Sequence, residues 1–457
     1  MILQNWWYTT LLDASVRHQP PLRKRLKCDV AVIGGGMAGL HAALQLSRMG
    51  KKVILLERNI CGGSSTGKSA GFLTPDSELE LNQLVRRYGV EGARSVWGMP
   101  VQGVELIKQT IKDFKIECDF RKQDSLFVGI GNSGAEDVAS EAKSRKKLGF
   151  ASTTYNRDKL KKVNTGLGYE AGIRYDDTYS INPMLYAQGL KKALLNSGVQ
   201  VFESTEVVRI EDGAAITHLG SVVAENFIVC IDKMKPEFSS VAKQTYHAQT
   251  FLSISEPLDD KDISEIFPDG EVQCWDSRLV YSYYRLTPDK RLLLGGGSAL
   301  TTFSPHDINS PTIINKVIAD FKQRFPKLQH VAFVQYWPGR IDTTKDIMPI
   351  IDWFDAPNVQ YVLGCVGLPW ASFCGKYAAE RLYEPRMCQK YCMFLGAHRS
   401  FFVPSWLQGI VGKMISFSLN NAYAKYFEKD MPQMSQIMHT HKGGLPSISL
   451  NRKSEKT

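Results

Sequence analysis

A glycine-rich turn near the start of the chain constrains its fold more than any other feature. Residues 28–33 are mostly apolar and β-branched, as in a strand that is buried on both faces. A G-x-G-x-x-G pattern follows directly, with its glycines at Gly34, Gly36 and Gly39. Helical spacing continues over 37–49, and an apolar strand over 52–56 ends on Glu57. This order predicts a βαβ unit that binds a dinucleotide, rather than a glycine-rich turn without a ligand.

Each part of this unit has a distinct physical role. Gly34 permits the tight turn, Gly36 lets the backbone approach a pyrophosphate, and Gly39 lets helix and strand pack closely. The free N–H groups at the helix start, around Met37 and Ala38, are suited to hold phosphates. Glu57 is expected to accept hydrogen bonds from ribose hydroxyls.

Residues 62–71 read GGSSTGKSAG, which is too rich in small side chains for an ordinary loop. Such a backbone can lie against a flat, extended ligand, although a flexible surface loop is the alternative. The segment resembles the G-A-S-G-R-N-A-G segment of the D-amino-acid oxidase and glycine oxidase superfamily of flavoproteins. In that superfamily the segment runs beside the flavin ring.

The resemblance covers about residues 5–382 and rests on further motifs. Residues 291–297 (RLLLGGG) resemble the family's R-L-L-x-G-G segment, and residues 337–349 resemble its W-x-G-R…T-x-D-x-x-P element. The gamma-glutamylputrescine oxidase and sarcosine oxidase branches are the most similar. The resemblance implies hydride transfer from an amine or amino acid to FAD. Because the flavin-linking cysteine of monomeric sarcosine oxidases has no counterpart near 347–349, we expect non-covalent FAD.

The resemblance also implies an α/β fold, α+β overall. A Rossmann-type FAD-binding domain would be interleaved with a mostly antiparallel-sheet substrate domain, followed by a helical C-terminal extension. We expect a lead-in over 1–27 whose Trp6 and Trp7 pack on the body, a body over 28–384, and an extension over 385–457. The expected FAD-binding parts are about 28–90, 184–235 and 337–384, and the expected substrate-domain parts are about 91–183 and 236–336.

The family's cofactor contacts carry over onto matching positions of this chain. Near Val207 the backbone is expected over the adenine, and the helix after Gly367 is expected to aim its N-terminus at the flavin's carbonyl edge. That placement stabilises negative charge on the reduced ring. The expected FAD-binding residues are Gly34, Gly36, Met37, Ala38, Gly39, Glu57, Arg58, Ser65, Thr66, Lys68, Ser69, Ala70, Gly71, Val207, Gly364, Gly367, Leu368 and Pro369.

Two basic side chains are candidate catalytic groups. The planar fork of Arg340 matches a substrate carboxylate, although its spacing to Asp346 is offset by one residue from the family's arginine. A structural ion pair is the alternative for Arg340. Lys68 can bridge to the flavin ring or to dioxygen, with a solvated surface lysine as the alternative.

Tyr284 and His247 are the other catalytic candidates. On a predicted strand over 278–285, Tyr284 faces away from Tyr281 and Tyr283, and one of these two faces should look toward the flavin. Aromatic packing on the sheet is the alternative for each tyrosine. His247 lies on a neighbouring predicted strand, where a hydrogen-bonded sheet histidine is the alternative.

One motif departs from the family pattern. Where the family has a second glycine or a histidine-glycine pair, this chain has Leu368, Pro369 and Trp370. Proline is acceptable at the first position of a helix. We expect the large Trp370 to narrow access to the ring, which leaves the substrate class open.

The C-terminal extension carries most of the net charge of +10, with ten basic residues against three acidic ones. Its residues 411–426 show an apolar helical stripe beside lysines, as in a helix that lies on anionic membrane. The alternative is a helix folded back onto the body. No pattern typical of nucleic-acid binding is present, and the nine scattered cysteines lack metal-site spacing. We therefore expect a cytoplasmic enzyme without a metal, peripheral to the inner face of a membrane if the tail binds lipid.

Three functions stay open from the sequence. The first is an FAD-dependent oxidase or dehydrogenase that acts on an amine or amino acid, with dioxygen or another electron acceptor. The second is a membrane-associated dehydrogenase that passes electrons to a quinone. The third is a flavin-binding protein with altered or lost catalysis.

Overall fold

The computed structural model describes residues 1–12, 14, 16–75, 79–297, 306–397 and 399, together with 403, 407, 415, 416 and 419. The strands are β1 (Ile2–Leu3), β2 (Arg25–Ile33), β3 (Val53–Leu56), β4 (Phe72–Leu73), β5 (Arg121–Lys122), β6 (Ser125–Ile130), β7 (Thr153–Asn156), β8 (Tyr169–Tyr175), β9 (Tyr179–Ser180), β10 (Gln200–Phe202), β11 (Val207–Glu211), β12 (Ala214–Thr217), β13 (Ser221–Val229), β14 (Thr245–Pro257), β15 (Gln273–Asp276), β16 (Tyr283–Leu286), β17 (Arg291–Gly297), β18 (Phe333–Thr344), β19 (Ile350–Trp353) and β20 (Val359–Leu363).

Helices connect and cover these strands. They are α1 (Trp6–Thr9), α2 (Met37–Arg48), α3 (Leu81–Phe114), α4 (Gly131–Leu148), α5 (Arg157–Leu160), α6 (Pro183–Asn196), α7 (Asp260–Ile266), α8 (Pro311–Arg324), α9 (Leu368–Tyr383) and α10 (Pro385–Leu395). Short 3₁₀ helices occur at Thr66–Lys68, Ser240–Gln244 and Pro326–Leu328.

The first large sheet is the predicted Rossmann-type sheet. Strands β10, β3, β2, β13 and β20 pair in parallel in that order. The central strand β2 is fully buried at its end, where Val30, Ala31 and Val32 have no exposed surface. Such double-sided burial is the reason for the continuous apolar run in the sequence. Strands β11, β12 and β19 extend the sheet by antiparallel pairing.

The second large sheet has the order β1-β18-β14-β17-β16-β15-β6-β8-β7. Its pairs are antiparallel except β1 with β18 and β15 with β6, as expected for the substrate domain. Helix α8 packs on one face through Ile314, Val317 and Phe321. The described residues therefore form two interleaved large sheets and a small third sheet of β4, β9 and β5, which confirms the predicted fold class.

The predicted domain bounds stay predictions, and two elements lie at them. Strand β18 pairs along its length with β14, so residues 337–344, predicted as the start of an FAD-binding part, lie in the second large sheet. Helix α3 is kinked at Gly89, whose φ is 68° and ψ is −178°, next to the predicted boundary at 90–91. The strand predicted over 278–285 begins only at Tyr283.

The N-terminal lead-in is part of the folded body, as expected. Strand β1 pairs with β18, and Trp7 is buried with its ring centroid 6.3 Å from that of Trp337. The Trp7 indole N–H donates to the Ser69 carbonyl at 2.8 Å, and the Asn5 amide donates to the Gly67 carbonyl at 2.6 Å. The lead-in thereby holds the small-residue segment 62–71 in place.

The start of the C-terminal extension also packs on the body. Tyr391, Phe394 and Leu395 of α10 are buried in the same core as α2, α3 and α9. The stripe over 411–426 lies mostly outside the described residues, although Ser416 is buried and hydrogen bonds to Tyr246. Among the described residues, we find no helix with the length and apolar character needed to cross a lipid bilayer.

A buried charge cluster ties the extension to the body. The Asp346 carboxylate accepts hydrogen bonds from Arg87 at 2.6 Å and from Arg399 at 2.8 and 2.9 Å. Burial alone would raise the pKa of Asp346, but the charges of Arg399 and Arg87 hold it well below its ordinary value of 3.8. Arg399 also donates to the carbonyl groups of Met348, Pro349, Phe394 and Gly396.

Replacing Asp346 with asparagine should lower the free energy of unfolding by about 3–5 kcal/mol, because two arginines lose their buried counter-charge. Chemical denaturation at pH 7 measures the change. Because the folded pKa is depressed, the carboxylate contributes above pH 3.8, and the difference from wild type should shrink as the pH falls below that value. Asp113→Asn, which breaks a half-exposed pair with Arg48, is the control and should cost less than about 1 kcal/mol. Equal losses for both variants would contradict this account.

Candidate active site

The first cavity, of about 410 Å³, lies at the carboxyl ends of β2, β3 and β13. This edge of an open α/β sheet is where ligands bind, because the strand order reverses there. Among the expected FAD-binding residues, those that line it are Gly34, Gly36, Met37, Ala38, Glu57, Arg58, Ser65, Thr66, Val207 and Gly364.

Two glycines of the turn, Gly34 and Gly39, leave no room for a side chain. A Cβ added to Gly39 would lie 1.8 Å from the Gly34 carbonyl oxygen, so α2 can pack on β2 only with glycine at this position. Gly34 has φ +104°, and a Cβ there would lie 2.5 Å from the Cys230 carbonyl oxygen. Gly36 forms the N-cap of α2 without a side-chain cap, and it lines the cavity. The turn thus presents bare backbone at a helix N-terminus, as a pyrophosphate requires.

Glu57 lies in the cavity wall at the end of β3. Its carboxylate accepts hydrogen bonds from the backbone N–H groups of Gly35 at 2.7 Å and Asn59 at 2.8 Å. Burial raises the pKa of Glu57. These two bonds hold the carboxylate in place, and a carboxylate has acceptor capacity beyond two hydrogen bonds, which ribose hydroxyl groups could use.

Sequence reasoning missed a polar cluster in this cavity, immediately after β13. The Asp232 carboxylate accepts hydrogen bonds from the hydroxyls of Ser64 and Ser65 and lies 2.9 Å from the Lys233 ammonium. Burial would raise the pKa of Asp232, but Lys233 and the serine hydroxyls lower it. Polar residues at the carboxyl end of a buried parallel strand were the signal that could have identified the cluster.

The second cavity, of about 500 Å³, adjoins the first, because Ser65 and Ile341 line both. Its floor includes Lys68, Ser69, Ala70, Gly367, Leu368 and Pro369, all expected near the flavin. Two segments that are distant in sequence, 68–70 and 367–369, therefore meet at one cavity. The N-terminus of α9 lies at this junction, with Gly367 as its N-cap.

Aromatic side chains from the second large sheet and from neighbouring segments form part of the wall of the second cavity. They are Phe72, Phe127, Trp275, Tyr281 and Tyr283, which belong to one packed cluster. Ring centroids lie 6.0 Å apart for Phe72 and Tyr283, 5.7 Å for Tyr281 and Tyr283, and 6.1 Å for Phe127 and Trp275. Tyr281 and Tyr283 thus form the face that looks into the cavity.

Lys68 lies in the wall of the second cavity, as a lysine that bridges to the flavin ring or to dioxygen would. Its side chain is only 23% exposed, and its ammonium lies 3.6 Å from the Asp307 carboxylate. Burial lowers the pKa of Lys68, with Asp307 opposing the shift and Lys233 adding to it. Lys68 is therefore a half-buried cation beside the junction and not a solvated surface lysine.

Arg340 occupies a different position from the one expected for a carboxylate clamp. Its neighbours Gly339 and Ile341 line the second cavity, but Arg340 does not. Its Nε lies 3.1 Å from Oδ1 of Asp307, and its side chain is 13% exposed. The structure therefore favours the structural ion pair, the alternative that the sequence left open for Arg340.

Tyr284 does not join the site, which corrects its assignment as a catalytic candidate. It is 2% exposed and packs under α8, with its ring centroid 5.3 Å from that of Phe321. The Asn164 amide donates to its hydroxyl at 2.9 Å. Alternation along β16 directs Tyr284 into the core because Tyr283 faces the cavity.

His247 lies behind the first cavity rather than in its wall. Its Nδ1 is 2.7 Å from Oδ1 of Asp342, and Asp342 lines the cavity. His247 can thus orient Asp342 but does not line either cavity. This placement corrects the expectation of a direct catalytic contact.

Three further expectations need correction. Trp370 is 1% exposed and points into the core of α2, α3 and α9, so it does not narrow either cavity. Gly71 lines neither cavity: its φ is +76°, and a Cβ there would lie 2.0 Å from the Ile181 carbonyl oxygen. Gly39 also serves packing rather than contact, for the reason given above.

Comparison with known proteins agrees with this geometry. Residues 29–381 match the DAO family, described as FAD dependent oxidoreductase. The chain belongs to this family. Its cofactor is therefore FAD, and the bare glycine turn, Glu57 and the paired cavities fit that dinucleotide. Covalent or non-covalent attachment stays a prediction.

Two relatives illustrate the position of the chain within the family. A probable oxidoreductase, OrdL, of Haemophilus influenzae is 27% identical and covers 90% of this chain and 94% of its own. The gamma-glutamylputrescine oxidoreductase of Escherichia coli is 27% identical and covers 79% of this chain and 85% of its own. The crystal structure of glycine oxidase from Geobacillus kaustophilus superposes with a TM-score of 0.68 at 14% identity, covering 82% of this chain and 100% of that one.

A Gly36→Val substitution should abolish FAD binding while the protein still folds, because its side chain would enter the first cavity. A Cβ at this position meets only the Thr66 hydroxyl, at 3.3 Å. The ratio of flavin to protein absorbance after purification measures the effect. Gly98→Ala, in the middle of α3 where a Cβ has open space, is the control and should keep the yellow colour. A yellow Gly36→Val protein would contradict the assignment.

Proposed function

We propose that the protein oxidises a carbon–nitrogen bond of a small amine or amino acid, with FAD as the hydride acceptor. One observation carries the proposal: the first cavity, which most of the expected dinucleotide-binding residues line, shares Ser65 and Ile341 with a second cavity that aromatic rings line. A substrate in the second cavity would lie beside the reactive part of a cofactor held in the first. The names of the relatives, gamma-glutamylputrescine oxidoreductase and glycine oxidase, support this chemistry.

The oxidation needs no strong base from the protein, because its electrons and protons are accounted for by FAD and solvent. When bound, FAD accepts two electrons and a proton as a hydride from the carbon next to nitrogen. The nitrogen loses a proton to solvent, and water hydrolyses the resulting imine to a carbonyl compound and ammonia or an amine. The protein must therefore position that carbon, exclude excess water and stabilise charge. The aromatic wall and the N-terminus of α9 are suited to these tasks.

Anaerobic mixing of the yellow protein with a panel of amines and amino acids tests the proposal. Bleaching of the flavin absorbance by at least one member is the expected result. Admission of air then identifies the electron acceptor, because rapid return of the colour indicates dioxygen and slow return indicates another acceptor such as a quinone. Dithionite serves as the control that the flavin can be reduced. Reduction by dithionite without bleaching by any amine or amino acid would overturn the proposal.

Lys68 is proposed to assist reoxidation by dioxygen, since a half-buried cation stabilises negative charge as oxygen is reduced. Lys68→Met should slow the return of colour in air by about 10-fold or more, a loss typical for removal of one such group. Bleaching by substrate should be much less affected. Lys52→Met, at an exposed position at the start of the predicted second strand and outside the lining of both cavities, is the control. Equal rates of reoxidation in wild type and Lys68→Met would remove this role.

A further inference from the structure

We propose that the second cavity selects an amine cation that lacks a carboxylate on the reacting carbon, rather than an α-amino acid. The claim that the selected amine is oxidised rests on the proposed function. The claim that the cavity binds an amine cation does not. The inference follows from two properties of the described cavity wall: its inner cations are already paired with acids, and its remaining groups suit a cation.

Arg278 has the planar fork that an amino-acid carboxylate would need, but its Nε and Nη2 are already engaged. Its Nη2 lies 2.6 Å from Oδ2 of Asp276 and 2.9 Å from Asp320, and its Nε donates to both oxygens of Asp276 at 3.0 and 3.1 Å. Asp276 is buried, so freeing the fork would leave a buried carboxylate without its partner. A substrate carboxylate would have to compete with two protein carboxylates for this arginine.

Lys68, another basic group in the cavity wall, is also paired. Asp307 lies 3.6 Å from the Lys68 ammonium and 3.1 Å from Nε of Arg340. A single acid thus lies against Lys68 in the wall and against Arg340, which does not line the cavity. Arg86 lines the cavity as well, but it is exposed, and a carboxylate gains little from a solvated charge.

The rest of the wall suits a cation. Five aromatic rings line the cavity, and ring faces attract ammonium groups. The half-buried acid Glu80 accompanies them, with its Oε1 3.5 Å from the Trp275 indole nitrogen, whereas Glu136 and Asp137 on α4 are exposed and, like Arg86, contribute little. An alkylammonium ion would therefore find aromatic surface and negative charge together, whereas a carboxylate would face both as unfavourable neighbours.

Matched substrate pairs test the selection in the reaction itself. Butylamine and norvaline, isobutylamine and valine, and phenethylamine and phenylalanine differ only by the carboxylate on the reacting carbon. In anaerobic bleaching, we expect the amine of at least one pair to react about 10-fold faster than both enantiomers of its amino acid. Faster or equal bleaching by an amino acid in every reactive pair would overturn the inference while leaving the proposed function intact.

A binding measurement keeps the inference testable if no compound bleaches the flavin. Benzyltrimethylammonium cannot be oxidised by loss of a nitrogen proton, and phenylacetate is an anion of comparable shape. Each is titrated into the FAD-bound protein while the visible absorbance of the flavin is followed. We expect the cation to perturb the spectrum with a dissociation constant about 10-fold lower than that of the anion. Tighter binding of the anion, or no perturbation by the cation, would overturn the inference.

Variants locate the binding to the cavity. Tyr281→Leu removes one ring and should weaken binding of the cation about 5-fold, within the range of one cation–π contact, whereas Tyr281→Phe keeps the ring and should bind as wild type. Arg340→Lys should leave the affinity for phenylacetate and for amino acids unchanged, because Arg340 is paired with Asp307. Loss of anion binding in Arg340→Lys would instead assign Arg340 as a carboxylate clamp and contradict the inference.

Discussion

The close contact between β2 and α2 at the glycine turn is the constraint on which the rest of the structure depends. Gly39 and the Gly34 carbonyl approach so closely that any side chain at Gly39 would collide with the backbone. This contact sets the helix against the carboxyl end of the central strand and brings its N-terminus to the first cavity, where Glu57 and Thr66 accept hydrogen bonds from the N–H groups of Gly35 and Met37. Because β3, β13 and β20 take their positions from β2, the whole parallel sheet and the first cavity follow from it.

The two large sheets meet where the first and second cavities adjoin. Strand β18 belongs to the second large sheet, yet its Ile341 lines both cavities, and Ser65 of the small-residue segment 62–71 does the same. Trp7 and Asn5 of the lead-in hold that segment through hydrogen bonds to its carbonyl groups. The region where the two cavities adjoin is therefore built from β18, the segment 62–71 and the N-terminal lead-in. Because these parts are distant in sequence, no single domain boundary separates the cofactor cavity from the substrate cavity.

Ion pairing decides which charges remain for a ligand. Asp276 and Asp307 engage the cations of the second cavity, and Asp346 engages Arg87 and Arg399 in the core. Breaking a buried pair is costly, so these arginines are unlike the free forks that recognise substrate carboxylates. The same charge cluster at Asp346 anchors the C-terminal extension to the body, which is a structural role that the basic composition of the tail did not reveal.

The sequence by itself determined the parts of the fold that are formed by residues close together along the chain. The strand, glycine turn, helix and acid from Cys28 to Glu57 are local, and so the Rossmann-type unit and most of its expected FAD contacts could be predicted. The tertiary structure decided which side chains meet across the chain. Asp307 lies 33 residues before Arg340 in sequence, and no local pattern indicates that they pair. For the same reason Trp370 and Tyr284 proved to be core residues: their burial depends on α3 and α8, which pack against them only in the folded protein.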